Sequence, residues 1–133
     1  MICDNTAETT DAPNIEILRT VYGAENYAYI RNARELLLDL EDKSTSSGNT
    51  VFVQTLERIP IIMTRCGVLA DYAIDGRNCI LIDDENAEQL KAALDRMGDE
   101  DFRSEMSRFQ KQDHAERYSM RAAARKFAAA TRD

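Results

Sequence analysis

A run of small polar residues has the composition of a loop that contacts phosphate. Its centre, "TSSGNT", consists of Thr45, Ser46, Ser47, Gly48, Asn49 and Thr50. Such residues favour helix N-termini, where free backbone N–H groups and the helix dipole attract a phosphate. With one glycine and no lysine, the run is neither a Walker loop nor a dinucleotide G-x-G-x-x-G loop. The residues alone leave two interpretations open, a phosphate-binding loop and an ordinary helix cap.

A second polar loop, "TRCGVLADYAIDGRN", lies between two apolar runs. Its Cys66 would serve as a nucleophile only beside a base, and the single histidine, His114, falls in a predicted helix. Asp75 and Gly76 form a pair typical of a turn. A connecting loop is therefore favoured over a catalytic one.

Carboxylates are dense around and after this loop, at Asp71, Asp75, Asp83, Asp84 and Glu85. They flank turns and a helix start, where acids are common, so we expect solvated side chains rather than an acid–base pair. The three cysteines include no C-x-x-C pair, and a single histidine gives no metal-ligand spacing. We expect reduced thiols, no metal and no cofactor.

Apolar runs predict the strands that would hold these loops. They are "NIEIL" (14–18), "PIIMT" (60–64) and "NCILID" (78–83). The leucines of "RELLLDL" (34–40) fit either a continued helix or a buried parallel strand, because a strand covered on both faces loses its alternation.

Apolar residues three or four positions apart predict helices at 23–33, 51–59, 85–97, 99–118 and 119–132. For the helix at 85–97 we expect Asp84 as the N-cap and Gly98 just past the end, and Ser119 is a candidate cap for the last helix. Tyr27 could stack on a base or sugar, but its place on the apolar stripe of its helix favours the core.

The alternation of strands and helices predicts an α/β fold, a Rossmann-like parallel sheet of about four strands flanked by helices, with a helical C-terminus. Ligands of such sheets bind beyond the carboxyl ends of the strands. The 133 residues suit one domain. We place a disordered lead-in at 1–13 and the α/β domain at 14–133.

The net charge of -7 argues against general affinity for nucleic acid or anionic lipid. The basic residues concentrate in the last thirty or so positions, which would suit an acidic surface or partner. No apolar run approaches the roughly 20 residues of a membrane-spanning helix, and the N-terminus lacks the pattern of a secretory signal. We therefore expect a cytoplasmic protein.

The order of motifs resembles the C-terminal, nucleotide-sugar-binding half of group 1 (family 4) retaining glycosyltransferases of GT-B architecture. That family shows "G-x-P-V-I-A-T", "G-G-x-x-E", "D-G-x-N-G", "L-L-V" and "D-x-E-x-L-A-x-A-I" in succession. The corresponding stretch here is "RIPIIMTRCGVLADYAIDGRNCILIDDENAEQLKAAL". The ending "AERYSMRAAARKF" is similar to the family's last helix, which commonly crosses back onto the N-terminal domain.

The resemblance implies a donor site. The strand and turn "NIEILRTV" would bring Thr20 and Val21 near the nucleotide base, and Ser47 to Thr50 would present amides to the diphosphate. Aligned without gaps from Pro60, the family's E-x7-E carboxylates, which contact the transferred sugar and the ribose, fall on Thr45 and on Val53, or on Gln54 if one residue is missing. Without a charge-assisted hydrogen bond from either position, donor binding would be weakened or redirected.

We therefore expect a partial donor-binding domain of a retaining hexosyl-type transferase. The expected partners are a nucleotide-diphosphate sugar and either an N-terminal glycosyltransferase half or a second copy of the chain. The lost carboxylates leave an alternative, a non-catalytic α/β interaction or adaptor domain derived from a glycosyltransferase.

Overall fold

The computed structural model describes residues 2–3, 13–15, 17–18, 23–38, 59–66 and 71–131. The chain forms two compact units, Met1–Asn32 and Ala33–Asp133. The predicted helix at 51–59 and most of the predicted lead-in lie outside the described residues. The domain boundary at residue 13 therefore stays a prediction.

The first unit contains a parallel pair of two-residue strands and one helix. β1 (Ile2–Cys3) pairs with β2 (Ile17–Leu18), so a strand lies within the segment predicted to be disordered. α1 (Gly23–Asn32) confirms the predicted helix. It buries none of its residues, and Tyr27 is 46% exposed, so the prediction of a core position for Tyr27 was wrong. Helical spacing identifies a face but not whether another element covers it.

The second unit is built on a parallel sheet of β3 (Leu36–Leu38), β4 (Ile61–Thr64) and β5 (Ile80–Ile82), in that order. Leu36 lies opposite Ile61, and Ile62 lies opposite Ile80. The open question at "RELLLDL" is settled as a strand. In the described part this sheet has three strands, and the predicted α/β class is confirmed.

Both faces of β4 are buried, which explains its unbroken apolar sequence. Ile61 and Met63 pack with Cys79 on one side of the sheet. Ile62 packs on the other side with a larger cluster contributed by β5 and two helices, namely Ile80, Ile82, Ala93, Met97 and Met106. Alternate residues of one strand thus enter two apolar cores, which hold the strand in register.

Three helical segments follow β5: α2 (Ala87–Met97), α3 (Glu100–Asp113) and α4 (Met120–Ala130). A π-helical turn, His114–Tyr118, separates the last two. Ser119 caps α4 as predicted, its Oγ accepting the Ala122 N–H at 3.1 Å.

The cap of α2 differs from the prediction. Asn86, not Asp84, is the N-cap, and its Oδ1 accepts the Gln89 N–H at 3.0 Å. The helix begins two residues later than predicted because 84–85 form a turn that leaves β5. Gly98 follows the helix as expected, in right-handed conformation with φ -62°.

A buried polar network ties α3 to the amino ends of β4 and β5. Gln110 is fully buried, and its Nε2 donates to the carbonyl of Ile59 at 2.9 Å and to the carbonyl of Asn78 at 2.7 Å. These two carbonyls precede neighbouring strands. One helical side chain therefore fixes the spacing of both strands at this end of the sheet.

Asn78 organises the turn before β5. Its Oδ1 accepts the Ile74 N–H at 2.7 Å, and its Nδ2 donates to the Tyr72 carbonyl at 3.0 Å. Gly76 takes the left-handed conformation, φ 72°, that the Asp-Gly turn requires. The predicted turn is confirmed, and its asparagine has a structural role.

The outer edge of β5 is covered by side chains. The Arg65 N–H donates to Ile82 C=O at 2.8 Å, so the amides of the alternate residues Leu81 and Asp83 point away from β4. The Leu81 N–H donates to Asp75 Oδ1 at 2.9 Å, and the Asp83 N–H donates to Gln89 Oε1 at 2.6 Å. Both outward amides are therefore satisfied within the chain.

Candidate functional site

A hollow of about 240 Å³ opens at the carboxyl ends of β3, β4 and β5. Each strand contributes one side chain, and the rest of the described lining comes from the turn after β5 and the start of α2. The described lining residues are Leu37, Thr64, Ile82, Asp83, Glu85, Asn86, Ala87 and Leu90. This is the edge where parallel α/β sheets bind their ligands, and we call it the carboxyl-end hollow.

Asp83, at the mouth of the hollow, is held by two neighbours. Gln89 Nε2 donates to Asp83 Oδ2 at 2.9 Å, while Gln89 Oε1 accepts the backbone N–H of the same residue. Arg65 Nε lies 3.7 Å from Asp83 Oδ1. This pairing of a carboxylate with an amide fixes the exit of β5 against the first turn of α2.

The backbone is strained at Glu85, which has φ 54° without being glycine. A side chain in the left-handed region costs on the order of 1 kcal/mol. The strain lies between Asp83 and the helix cap Asn86, at the rim of the hollow. Backbone strain of this kind occurs in turns and clusters at ligand sites and switches.

The described residues at the hollow carry more negative than positive charge. Among the described residues, Asp83, Asp84, Glu85 and Glu88 cluster at this end of α2, and Arg65 is the cation that pairs with Asp83. Exposed carboxylates accept hydrogen bonds from hydroxyl groups but repel phosphates. The described part of the hollow thus suits a neutral, hydroxyl-bearing group with an apolar face.

The thiols near the sheet are not suited to nucleophilic chemistry. Cys66 and Cys79 are both buried. Burial, reinforced by the negative charge of Asp75, raises the pKa of the Cys79 thiol from 9.0 to about 12, whereas a thiol nucleophile needs a lowered pKa. Within the described ranges, no group of three or more His, Cys, Asp or Glu residues could hold a metal ion.

The site residues predicted from the sequence all lie outside the described residues: Thr20, Val21, Thr45, Ser46, Ser47, Gly48, Asn49, Thr50 and Val53. Their grouping into a donor site stays a prediction. The five carboxylates interpreted as solvated, from Asp71 to Glu85, are exposed.

Sequence reasoning did not identify Leu37 and Asn86 as part of a site. Leu37 lies in the middle of β3, and Asn86 caps the helix that follows β5. Residue type gave no hint, because leucine in a strand and asparagine before a helix are ordinary.

No family model matches the sequence, and a comparison with curated proteins gives no match. Among solved structures, the chain is similar to the 1.35 Å crystal structure of the C-terminal domain of a group 1 family glycosyltransferase (LpcC) from Francisella tularensis. The TM-score is 0.61 at 16% sequence identity, over 78% of this chain and 54% of that one.

The similar region spans about half of the solved domain, and an identity this low informs on fold alone. No helix among the described residues is long and apolar enough to cross a membrane. In its described part, this chain has the parallel sheet flanked by helices and the helical C-terminus that the alternation of strands and helices predicted. Over the matched part, this chain has the fold of the C-terminal domain of a group 1 glycosyltransferase.

Proposed function

We propose that this chain is a partial donor-binding domain of a retaining hexosyl-type glycosyltransferase, which takes a nucleotide-diphosphate sugar at the carboxyl ends of its sheet. The observation that carries the proposal is the carboxyl-end hollow, which lies on a glycosyltransferase-like fold at the edge where such sheets bind ligands. The reduced thiol of Cys79 is consistent with work in the cytoplasm.

The charges at the hollow suggest how a donor would be oriented. The sugar, with its hydroxyl groups and apolar ring face, fits the side of Asp83, Glu85 and Leu37. The diphosphate would be repelled there. It would bind better at the loop Thr45–Thr50, because that loop carries no acidic residue. Thr20 and Val21 would meet the nucleotide base.

Activity would require a second component. Neither Thr45 nor Val53 supplies the carboxylate expected at the donor site, and such transfers use positive groups to stabilise the departing diphosphate. An N-terminal glycosyltransferase half is the natural source of those groups and of the acceptor site. The chain alone would bind donor weakly and transfer sugar slowly or not at all.

Calorimetric titration with UDP-, GDP- and ADP-sugars tests donor binding. We would compare the wild type with Leu37→Trp, which fills the hollow, and with Leu94→Trp on α2. The two leucines are matched, being 45% and 44% exposed, but Leu94 does not line the hollow. The Leu37 variant should lose roughly tenfold or more in affinity for the nucleotide sugar that binds, whereas the Leu94 variant should match the wild type.

The proposal fails if no nucleotide sugar binds the wild type at millimolar concentration. It also fails if both tryptophan variants weaken binding equally, because the carboxyl-end hollow would then have no special part. Measuring thermal unfolding of both variants separates lost binding from lost folding.

A second candidate, a non-catalytic interaction domain, is favoured by α4. Met120 and Phe127 are 87% and 72% exposed on this helix, which is unusual for side chains of their size. Such a surface would bind an N-terminal half or a second copy of the chain. Sedimentation velocity of the wild type and of Phe127→Ser measures self-association; a dimer that dissociates in the variant supports this function, and a monomer in both speaks against self-association.

A further inference from the structure

A second hollow, of about 530 Å³, lies at the opposite end of the sheet. Arg34 borders it from the segment before β3, and Pro60 from the residue before β4. These segments are adjacent, because the Leu36 N–H donates to the Pro60 carbonyl at 2.9 Å. The hollow is thus at the amino ends of the strands, separate from the carboxyl-end hollow, and we call it the basic hollow.

One face of α3 supplies most of its polar groups. Arg103, Ser104, Ser107, Arg108 and Lys111 follow the helical repeat, so they line the same side of the helix. In all, four basic side chains and one acidic side chain are among the described lining residues. The chain as a whole carries -7, so this concentration of positive charge is local.

Two of these cations have no carboxylate partner among the described residues. Arg103 donates to the carbonyl of Met97, which orients the guanidinium and leaves its charge in place. Lys111 forms no ion pair within that part of the chain. Arg108 lies three residues from Lys111, a spacing at which like charges repel and destabilise a helix. A bound anion would relieve this repulsion.

The other two cations are compensated to different degrees. Arg108 Nη2 lies 3.8 Å from Glu105, and both side chains are highly exposed, so this pair is weak. Arg34 is closely paired with Glu35, at 2.6 Å. The uncompensated positive charge therefore comes from α3 rather than from the segment before β3.

We propose that the basic hollow binds a phosphate group. The guanidinium groups of Arg103 and Arg108 and the ammonium of Lys111 would hold a tetrahedral dianion, and the hydroxyls of Ser104 and Ser107 would donate to its remaining oxygens. The volume leaves room for whatever the phosphate is attached to. This site is independent of the proposed sugar-donor site.

Calorimetry with inorganic phosphate at constant ionic strength tests the proposal. The test variant is Arg108→Gln/Lys111→Gln, which removes two exposed charges from the hollow. The matched control, Arg121→Gln/Arg125→Gln, removes the same charge from exposed positions on α4. We expect saturable binding to the wild type, roughly tenfold or greater weakening in the hollow variant, and less than about twofold change in the control.

Parallel titrations with glycerol 3-phosphate and with phosphatidic acid vesicles distinguish a soluble from a lipid source of the phosphate. Phosphatidylcholine vesicles are the control for the lipid titration. Binding to the soluble monoester alone supports a soluble ligand, and binding to phosphatidic acid vesicles alone supports a lipid headgroup, provided that the hollow variant loses it. Absence of binding to all probes, or equal loss in both double variants, would overturn the proposal. Leu37→Trp should bind phosphate as the wild type does, which keeps this result separate from the donor experiment.

Discussion

At the amino ends of β4 and β5 the sheet is closed by fully buried polar side chains, whereas at the carboxyl ends it opens into a hollow rimmed by exposed acids. Gln110 and Asn78 have no exposed surface. The Gln110 side chain donates to the Asn78 carbonyl, and the Asn78 side chain donates to the Tyr72 carbonyl, so these hydrogen bonds link three segments of the chain. At the other end, Asp83 is 60% exposed and Glu85 is held in a left-handed conformation. The comparison indicates that the buried network at the amino ends of β4 and β5 supplies stability, whereas the exposed rim at the carboxyl ends is free to contact a ligand.

The largest effect should come from Gln110→Met, which keeps the length of the side chain and removes its donor. The carbonyls of Ile59 and Asn78 would each lose a buried hydrogen bond, and we expect a loss of about 3 kcal/mol in the free energy of unfolding. Urea denaturation measures it. Gln112→Met, at an exposed position of the same helix, should change stability by less than about 0.5 kcal/mol. Equal effects at the two positions would contradict the assigned role of the amino end.

Cys79, also at the amino end of β5, should make stability fall in alkali. Because burial raises the pKa of its thiol from 9.0 to about 12, the unfolded chain loses this proton first. The contribution of the protonated thiol to the free energy of unfolding is complete below pH 9 and is lost between pH 9 and 12. At pH 10.5 about 2 kcal/mol has been lost. Unfolding measured at pH 8 and pH 10.5 should show a smaller decline in Cys79→Ala.

The pKa of Tyr118 is also raised by burial, and its ionisation weakens stability in the same pH direction. Tyr118 is present in both proteins, so the part of the alkaline decline that Cys79→Ala removes depends on the thiol and on its packing in the cluster that Tyr118 also contacts. An identical alkaline decline in the two proteins would show that Cys79 does not titrate as described.

At the carboxyl end a substitution should increase stability. Glu85→Gly removes the side chain from a left-handed residue with φ 54°, and we expect a gain of up to about 1 kcal/mol. Glu88→Gly, in the first turn of α2, is the matched control and should lose about 1 kcal/mol, because glycine disfavours a helix. Thermal unfolding distinguishes the two signs, and a loss at both positions would remove the evidence for strain at this rim.

The smallest effect is expected for Asp83→Asn. The side chain is exposed and its ion pair with Arg65 is long, at 3.7 Å, so stability should change by less than about 0.5 kcal/mol. Chemical denaturation at low and high salt measures the change. A loss above about 2 kcal/mol would mean that the carboxyl end is as tightly built as the amino end.

The local elements could be predicted from the sequence because short-range signals determine them. The apolar run "PIIMT" became a buried strand, the stripe through Ala93 and Met97 became the buried face of α2, and Ser119 became a helix cap. The cap of α2 was predicted two residues early. Asp84 and Asn86 are both good caps, and the turn by which the chain leaves β5 determines which of them precedes the helix.

The long-range contacts could not be predicted. Gln110 bonds to a carbonyl 32 residues away in sequence, and a glutamine in an amphipathic helix carries no signal of such a partner. The exposure of Tyr27 depends on whether another element covers α1, which helical periodicity does not encode. The predicted donor residues lie outside the described ranges, so for the loop Thr45–Thr50 the residue types and the motif comparison are still the whole basis of the prediction.

The covered outer edge of β5 limits how this molecule can assemble. A strand whose outward amides already donate to Asp75 and Gln89 is a poor template for a strand from another chain. Sheet extension or fibril growth on this side would first have to break two internal hydrogen bonds. A dimer of this chain would have to use another surface, such as the one on α4 where Met120 and Phe127 are exposed.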